Sequence, residues 1–419
     1  MKVQPASPSM SNENTPQLPV EVLLGIAEFL YWSDREQKDS YLLRQSDMYN
    51  FCLVGRAWYS AGIELLYRSP QLARGNKFSQ FLATVTPQSS ARKQKVDLGS
   101  LVRELLLHGL VHHSSPSQTS RLLKATSSNL LKFKAPRVSF AINSLAALSK
   151  CQNLRFLDLS LVMGSSMSFP KLKKAVSGIT SLEYLSLPTS MELTHTDETV
   201  QWPPSLTEME IGGRIDEELM LSFCWPPHLE TLTIDHCILT GGFDAMGPFL
   251  SNEQLHQGLR RLIIGQNNEI IWDIEGQDLG VYSLLMMEKL YYLVIPAHIA
   301  AYIFGAVGAY PPPLFPHSSG VRAMKITSAR HGQDLDLIDE RFPYELLDGL
   351  QWHFANIWSL VVSSSVGGLL KTCRHEIDDE IWLHLPDDDL DEDSMLNGLD
   401  LSDFELNHVL GLSIDGRNN

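Results

Sequence analysis

Leu154-Arg-Phe-Leu157-Asp-Leu159 and Leu182-Glu-Tyr-Leu185-Ser-Leu187 share one pattern: apolar, two residues, apolar, one residue, apolar. The pattern occurs upstream as Val102/Leu105/Leu107 and Leu130/Phe133/Ala135. Downstream it continues as Leu206/Met209/Ile211, Leu229/Leu232/Ile234, Leu259/Leu262/Ile264, Leu290/Leu293/Ile295, Val321/Met324/Ile326 and Ile357/Leu360/Val362. Successive first positions lie 28, 24, 28, 24, 23, 30, 31, 31 and 36 residues apart. A single hexad of this kind says little, because leucine is common and amphipathic helices produce the spacing by chance. A series of them at near-regular spacing marks an internal repeat. The last two apolar positions alternate with a residue that points the other way, as a half-buried strand requires, and the first anchors the turn leading into the strand. One unit cannot cover its own apolar edge, whereas stacked units share a continuous core and a parallel sheet.

These hexads resemble leucine-rich repeats, whose units run at about 20–29 residues with L-x-x-L-x-L as the strand part. The first six units fit that range and the later ones are stretched. The asparagine that terminates the strand in tighter repeats is missing from most units, so the resemblance is to an irregular, degenerate version. The segments between strands return as helix or irregular structure. Lys171–Ile179 and Asp216–Phe223 have helix-compatible patterns, and the Pro-Pro pairs after Trp202 and Trp225 keep their returns short and extended. An ordinary α/β domain with unrelated strands is the competing reading.

Upstream, residues 18–30 read Leu-Pro-Val-Glu-Val-Leu-Leu-Gly-Ile-Ala-Glu-Phe-Leu. Pro19 suits a first helical turn, and Glu21 favours the positive end of the helix dipole. At about 100° per residue the polar positions Glu21, Gly25 and Glu28 fall in one narrow arc, and apolar residues cover nearly all the rest. A helix packed on one core needs only a stripe of roughly 100°. The second apolar face therefore calls for another cover, and a partner chain is the economical one. A polar stretch, Tyr31–Ser46, precedes Asp47-Met-Tyr-Asn-Phe-Cys-Leu-Val-Gly-Arg-Ala-Trp58, where Asp47 is placed to cap a short helix and Gly55 to end it before a third helix.

Leu18-Pro19, Glu21, Ile26 and Leu30, followed by Leu53-Val54, Arg56 and Trp58, resemble the F-box motif. Leu65-Leu-Tyr-Arg-Ser-Pro70 looks like the tail of many fungal F-box proteins. The resemblance implies a trihelical module docking a Skp-type adaptor, and through it a cullin, by way of Leu18, Pro19, Ile26, Leu30, Leu53, Val54 and Trp58. The charged insert Ser33–Asp39 makes the gap after Leu30 longer than the family usually has, a change that loops tolerate cheaply. The competing reading is a helical N-terminal cap on the repeat array.

The expected fold is thus α/β. Residues 1–17 form a disordered N-terminus, 18–70 a trihelical F-box-like module, 95–370 an irregular leucine-rich-repeat-like solenoid with a parallel sheet, and 371–419 an acidic tail. The tail carries Pro386-Asp-Asp-Asp-Leu-Asp-Glu-Asp393, read as a solvated run or as a lure for a basic partner.

Composition narrows the function. Hydrophobic residues make up 44% and charged residues 20% of the 419, enough apolar material for a buried interior. A net charge of −16 argues against nucleic acid and against an anionic membrane surface as partners. Five scattered cysteines, Cys52, Cys151, Cys224, Cys237 and Cys373, form no C-x-x-C pair and read as buried free thiols. The N-terminus lacks an apolar signal region, and the run Ile299–Ala309 is shorter than the roughly 20 residues a membrane helix needs, so a cytoplasmic or nuclear protein is expected. No nucleophile elbow, P-loop, dinucleotide-binding or H-E-x-x-H motif occurs, and no catalytic, cofactor-binding or metal-binding residue is assigned. His108, His112 and His113 sit beside Ser114-Ser-Pro116 and read as a solvated loop. Most tryptophans read as core and turn staples.

The expectation is a substrate receptor of a ubiquitin ligase, non-catalytic and free of cofactors, acting by proximity. A scaffold that binds the adaptor outside any ligase is the alternative. Strand alternation assigns the target surface to Phe156, Asp158, Tyr184, Glu208, Glu210, Asp235, Arg261 and Tyr292, accompanied by Ser186, Thr231, Thr233, Ile263 and Val294. A ligand with a basic segment followed by an apolar one fits that order. The other reading is that the carboxylates only keep an exposed sheet soluble.

Overall fold

The computed structural model describes residues 18–32, 40–72, 76–86, 97–110, 115–163, 167–194, 199–216, 219, 223–240, 250, 252–268, 283–308, 319–328, 341–352, 354, 356–362 and 382–384. The chain divides into two compact units, Met1–Arg155 and Phe156–Asn419. The insert 33–39, the N-terminus 1–17, His112, His113, Cys373 and the acidic run 386–393 lie outside the described residues.

The first unit opens with helices α1 (Val20–Trp32), α2 (Ser40–Leu53) and α3 (Arg56–Arg68), then α4 (Lys77–Val85) and a 3-10 turn at Leu98–Leu101. Strand β1 (Glu104–Leu106), α5 (Pro116–Thr126), β2 (Lys132–Lys134) and α6 (Ile142–Leu148) follow. The strands are parallel, with Leu105 opposite Phe133. Ser115 caps α5 in a reciprocal box with Gln118, and Pro116 occupies the first turn.

The second unit runs β3 (Phe156–Asp158), α7 (Phe169–Val176), β4 (Tyr184–Ser186), β5 (Glu208–Asp216), β6 (Thr231–Thr240), α8 (Glu253–Gly258) and β7 (Arg261–Ile264). It continues with β8 (Tyr292–Pro296), α9 (Ala297–Gly308), β9 (Ala323–Thr327), α10 (Phe342–Trp352), β10 (Ser359–Val362) and β11 (Trp382–His384). Each strand pairs in parallel with the next, and Leu157, Leu185, Met209, Leu232, Leu262, Leu293, Met324 and Leu360 stand opposite one another in register.

Every strand read from the sequence is present, and no apolar position of any hexad is more than 5% exposed. The array is therefore leucine-rich-repeat-like: a parallel sheet whose inner rows are mostly leucine, isoleucine and methionine. A backbone ladder holds the pitch. In the second unit the carbonyls of Glu183, Thr207, Glu230, Arg260, Tyr291 and Arg322 each accept two successive N–H groups from the next repeat. A second ladder runs at the turn before the strand, where Asn129 donates to the Ser100 carbonyl, Asn153 to that of Ser128 and Asn356 to that of Ser319.

Strands β5 and β6 depart from the simple pattern. Their register shifts between Ile211 and Gly213, and both run on past the length of a repeat strand. Gly213 takes φ +94°, and a side chain on it would drive into the Met191 carbonyl, so only glycine serves there. Arg214 then bonds backbone to backbone with Met191 and Leu193, adding a short parallel rung outside the main sheet.

Several local expectations are corrected. Asp47 does not cap a short helix. The second helix begins at Ser40, leaving Asp47 exposed in its middle, and Tyr31 and Trp32 extend the first helix instead of opening a polar stretch. The helix expected at Asp216–Phe223 falls mostly outside the described residues, and its first residue closes β5. The one expected at Lys171–Ile179 is α7, beginning two residues earlier because Phe169-Pro170 supplies its first turn. Trp202 and Trp225 are buried staples as expected: the Trp202 indole donates to the Cys224 carbonyl at 2.7 Å, and both pack beside Phe223. Of the cysteines, Cys52, Cys151 and Cys237 are buried, whereas Cys224 is exposed.

Candidate functional site

Two surfaces gather the residues singled out above, one in each unit. The first is the helical module. Leu23, Ala27 and Tyr31 recur every fourth residue along α1 and bury against Met48, Phe51 and Cys52 of α2 and Ala61 of α3. The Phe51 ring meets Trp58 edge-on at 4.8 Å. Gly62 lets α2 and α3 close up, since a Cβ there would stand 2.7 Å from the Phe51 ring. Pro19 donates no hydrogen bond but its carbonyl accepts from Val22 and Leu23, starting α1.

This core uses one face of α1 only. Val20, Val22, Leu24 and Phe29 are exposed, Phe29 by 71%. At the junction of α2 and α3, Leu53 and Val54 are exposed by 64% and 63%. The seven residues that the resemblance assigns to the adaptor divide accordingly. Leu18, Pro19, Leu53 and Val54 are exposed, while Ile26, Leu30 and Trp58 are half-buried and pack on the module core. Single exposed apolar groups are common on soluble proteins, and it is their gathering on one module that marks an interface. Val22, Leu24 and Phe29 were not among the seven, although the apolar arc on both sides of the helix is the signal that marks them.

Within the same unit a cleft of about 390 Å³ is lined by Tyr31 and Trp32 of α1, Arg44 of α2, Glu104 of β1 and Lys132 of β2. Arg44 lies over the Tyr31 ring at 5.2 Å, and Ser69 donates to Glu104 at 3.2 Å.

The second surface is the outer face of the sheet in the second unit. Register places Phe156, Tyr184, Glu208, Thr231, Arg261, Tyr292 and Ala323 in one row across β3 to β9, and Asp158, Ser186, Glu210, Thr233, Ile263, Val294 and Lys325 in the next. Phe156 and Tyr184 stack at 4.2 Å with their planes 3° apart. The Tyr184 hydroxyl donates to Glu210 at 2.6 Å. Burial, that hydrogen bond and the carboxylates of Glu210 and Asp158 push the Tyr184 phenol far above its ordinary range. Burial also raises the Tyr292 phenol, with Arg261 pulling the other way. Ser186, Thr231 and Val294 are buried beneath their larger neighbours rather than presented to a partner.

Asp235 is on neither row. Its carboxylate accepts from the Asn267 backbone at 3.2 Å and the Asn267 side chain at 3.2 Å, and from the His236 backbone at 3.0 Å. A side chain on Gly265 would collide with it. Asp235 thus pins the turn after β7. Beside it Asn268 accepts from the Cys237 N–H and donates to the carbonyls of Ile234 and Gly265, the strand-terminating role that sequence reading found missing from most units. Regular repeats put asparagine or cysteine three residues after the last apolar position, so the pattern names Asn267 after Ile264 and Cys237 after Ile234, whereas Asn268, one residue on, makes these bonds. Among the described residues no group of three or more His, Cys, Asp and Glu side chains is placed to hold a metal, and no helix is long and apolar enough to cross a membrane.

The trihelical module with its exposed apolar edge, and the parallel repeats that follow it in the chain, resemble those of an F-box/leucine-rich-repeat-like protein. Two curated relatives bear on it. The chain is 34% identical to F-box protein YDR306C of Saccharomyces cerevisiae over 188 residues, covering 45% of this chain and 38% of that protein. It is 28% identical to protein pof5 of Schizosaccharomyces pombe over 186 residues, covering 44% of this chain and 50% of that protein. The chain therefore matches half or less of the length of each. No protein-family model matches. Among solved structures, an internalin (inlF) of Listeria monocytogenes superposes with TM-score 0.30 at 14% identity, covering 73% of this chain and 87% of that one, a likeness too loose to bear on function.

Proposed function

We propose that the chain is the substrate-recognition subunit of a cullin-RING (SCF-type) ubiquitin ligase. In this reading the helical module docks a Skp-type adaptor through Leu18, Pro19, Ile26, Leu30, Leu53, Val54 and Trp58, and the outer face of the sheet holds a target protein. The observation that carries it is the apolar edge of the module. α1 completes a core with α2 and α3 on one face, yet leaves Val22, Leu24 and Phe29 exposed, with Leu53 and Val54 exposed at the α2–α3 junction. Burying such groups contributes about 25 cal/mol per Å² of apolar surface, and nothing that the module's own core needs is lost by doing so. The likeness to a yeast F-box protein supports the same reading.

The mechanism is proximity. A receptor brings a target lysine near the ligase's activated ubiquitin and raises its effective concentration, with no reacting side chain of its own. Replacing Leu18 and Pro19 together by Ala tests the docking half: adaptor recovered with the tagged chain should fall to background while circular dichroism stays unchanged. Undiminished recovery would refute the assignment. Co-purification of a cullin separates the ligase reading from a scaffold that binds the adaptor alone.

A further inference from the structure

We propose that the sheet face in the second unit recognises an extended polypeptide segment whose two ends carry opposite charge, a basic end and an acidic end about six residues apart. The inference rests on reading this face as the target surface and adds the chemistry of the target. Register fixes the pattern. Asp158 on β3 and Glu208 and Glu210 on β5 gather carboxylates at one end of the two rows. Arg261 on β7 and Lys325 on β9 place cations further along the rows, ahead of uncharged Ser359 and Val361 on β10. Between them lie Thr233, then Ile263 and Tyr292, hydroxyl and apolar groups without charge, with Thr231 itself buried.

The face is therefore polarised along the stacking direction, not merely acidic. This revises the expectation of a basic segment followed by an apolar one, because the far end carries cations as well as apolar side chains. A solubilising role gives no reason to segregate the signs, since interspersed charges serve solubility better. Complementary potentials orient a partner and reject others. The acidic end centres on β4 and the cationic end on β8. At about 4.8 Å per strand step that separation is ~19 Å, which an extended chain spans in about six residues. The occupant is thus one strand-like segment crossing the repeats.

The test pans a phage-displayed library of random peptides about twelve residues long against the intact chain. Selected peptides should carry Lys or Arg separated from Asp or Glu by about six residues. Reversing one end, Glu208→Lys with Glu210→Lys or Arg261→Glu with Lys325→Glu, should weaken them at least about tenfold, the cost of placing like charges together. Reversing both ends should recover part of the affinity, because the peptide can lie the other way round. Should Glu210→Lys unfold the sheet by breaking its bond with Tyr184, Glu208→Gln and Arg261→Gln give the same comparison with smaller losses. Peptides of a single sign, affinities indifferent to either reversal, or no selection above background would each overturn the proposal. The Leu18→Ala/Pro19→Ala variant should bind the same peptides unchanged. If it does while the wild-type chain fails to capture any adaptor, the receptor reading falls and this one stands. If the wild-type chain captures the adaptor and that variant does not, while the selected peptides bind equally well to either reversed face, this inference falls and the receptor reading stands.

Discussion

Asn268 engages three backbone groups with one amide, joining β6 to the turn after β7. Asn268→Ala should strand the Cys237 N–H, while the Ile234 carbonyl keeps the Gly265 N–H, and cost about 1–3 kcal/mol, the usual penalty for a polar group left unpaired. Chemical denaturation checks it, and a loss below a few tenths would show the turn to be held by other means. Cys151 makes a different prediction. Burial pushes its thiol from the ordinary 9.0 up to about 12. The folded chain thus keeps a proton that the unfolded chain releases above about pH 9, so this contribution is complete below pH 9 and is lost as pH rises from there. The slope is at most about 1.4 kcal/mol per pH unit for one such group. Melting curves at rising alkaline pH should fall more gently for Cys151→Ala than for the wild type, once the offset at neutral pH from the small cavity is subtracted. Parallel slopes would remove the thiol from the account.

At the scale of the element, Leu185 is fully buried in β4 between Leu157 and Met209. Leu185→Ala should cost about 2–5 kcal/mol. Because each repeat leans on its neighbours, hydrogen exchange should quicken first in β3, β4 and β5 and only later in the helices around Leu23 and Phe51. A uniform rise over the whole chain would contradict this. The strands were legible because a fixed spacing, repeated many times, outweighs local ambiguity. The returns were not, since their lengths drift and their helices are short. The start of α2 at Ser40 was hidden because Leu42, Leu43 and Arg44 follow a charged insert with no capping box. Of the face residues, Phe156, Tyr184, Glu208 and Glu210 follow from alternation alone. Asp235 could not be excluded that way, because the register shift next to it and the reach of Asn267 are three-dimensional facts. The Gly212-Gly213 pair names the bend only once Met191 is seen against it.

For the molecule as a whole, the composition argued for partners that are proteins, and the two surfaces differ in kind as that requires: one apolar and compact, one polarised and broad. The carbonyl ladder has a further consequence. Its rungs at Glu183, Thr207, Glu230, Arg260, Tyr291 and Arg322 keep step although 23 to 36 residues separate the starts of successive units beyond Leu182. The sequence between rungs can therefore lengthen or shorten over generations without moving the face out of phase, whereas a single residue gained inside a strand would turn its neighbours inside out. Lineages should accordingly differ freely in the returns and hardly at all in strand length, so that new specificities arise by exchanging letters on the face while the frame of the text stays fixed.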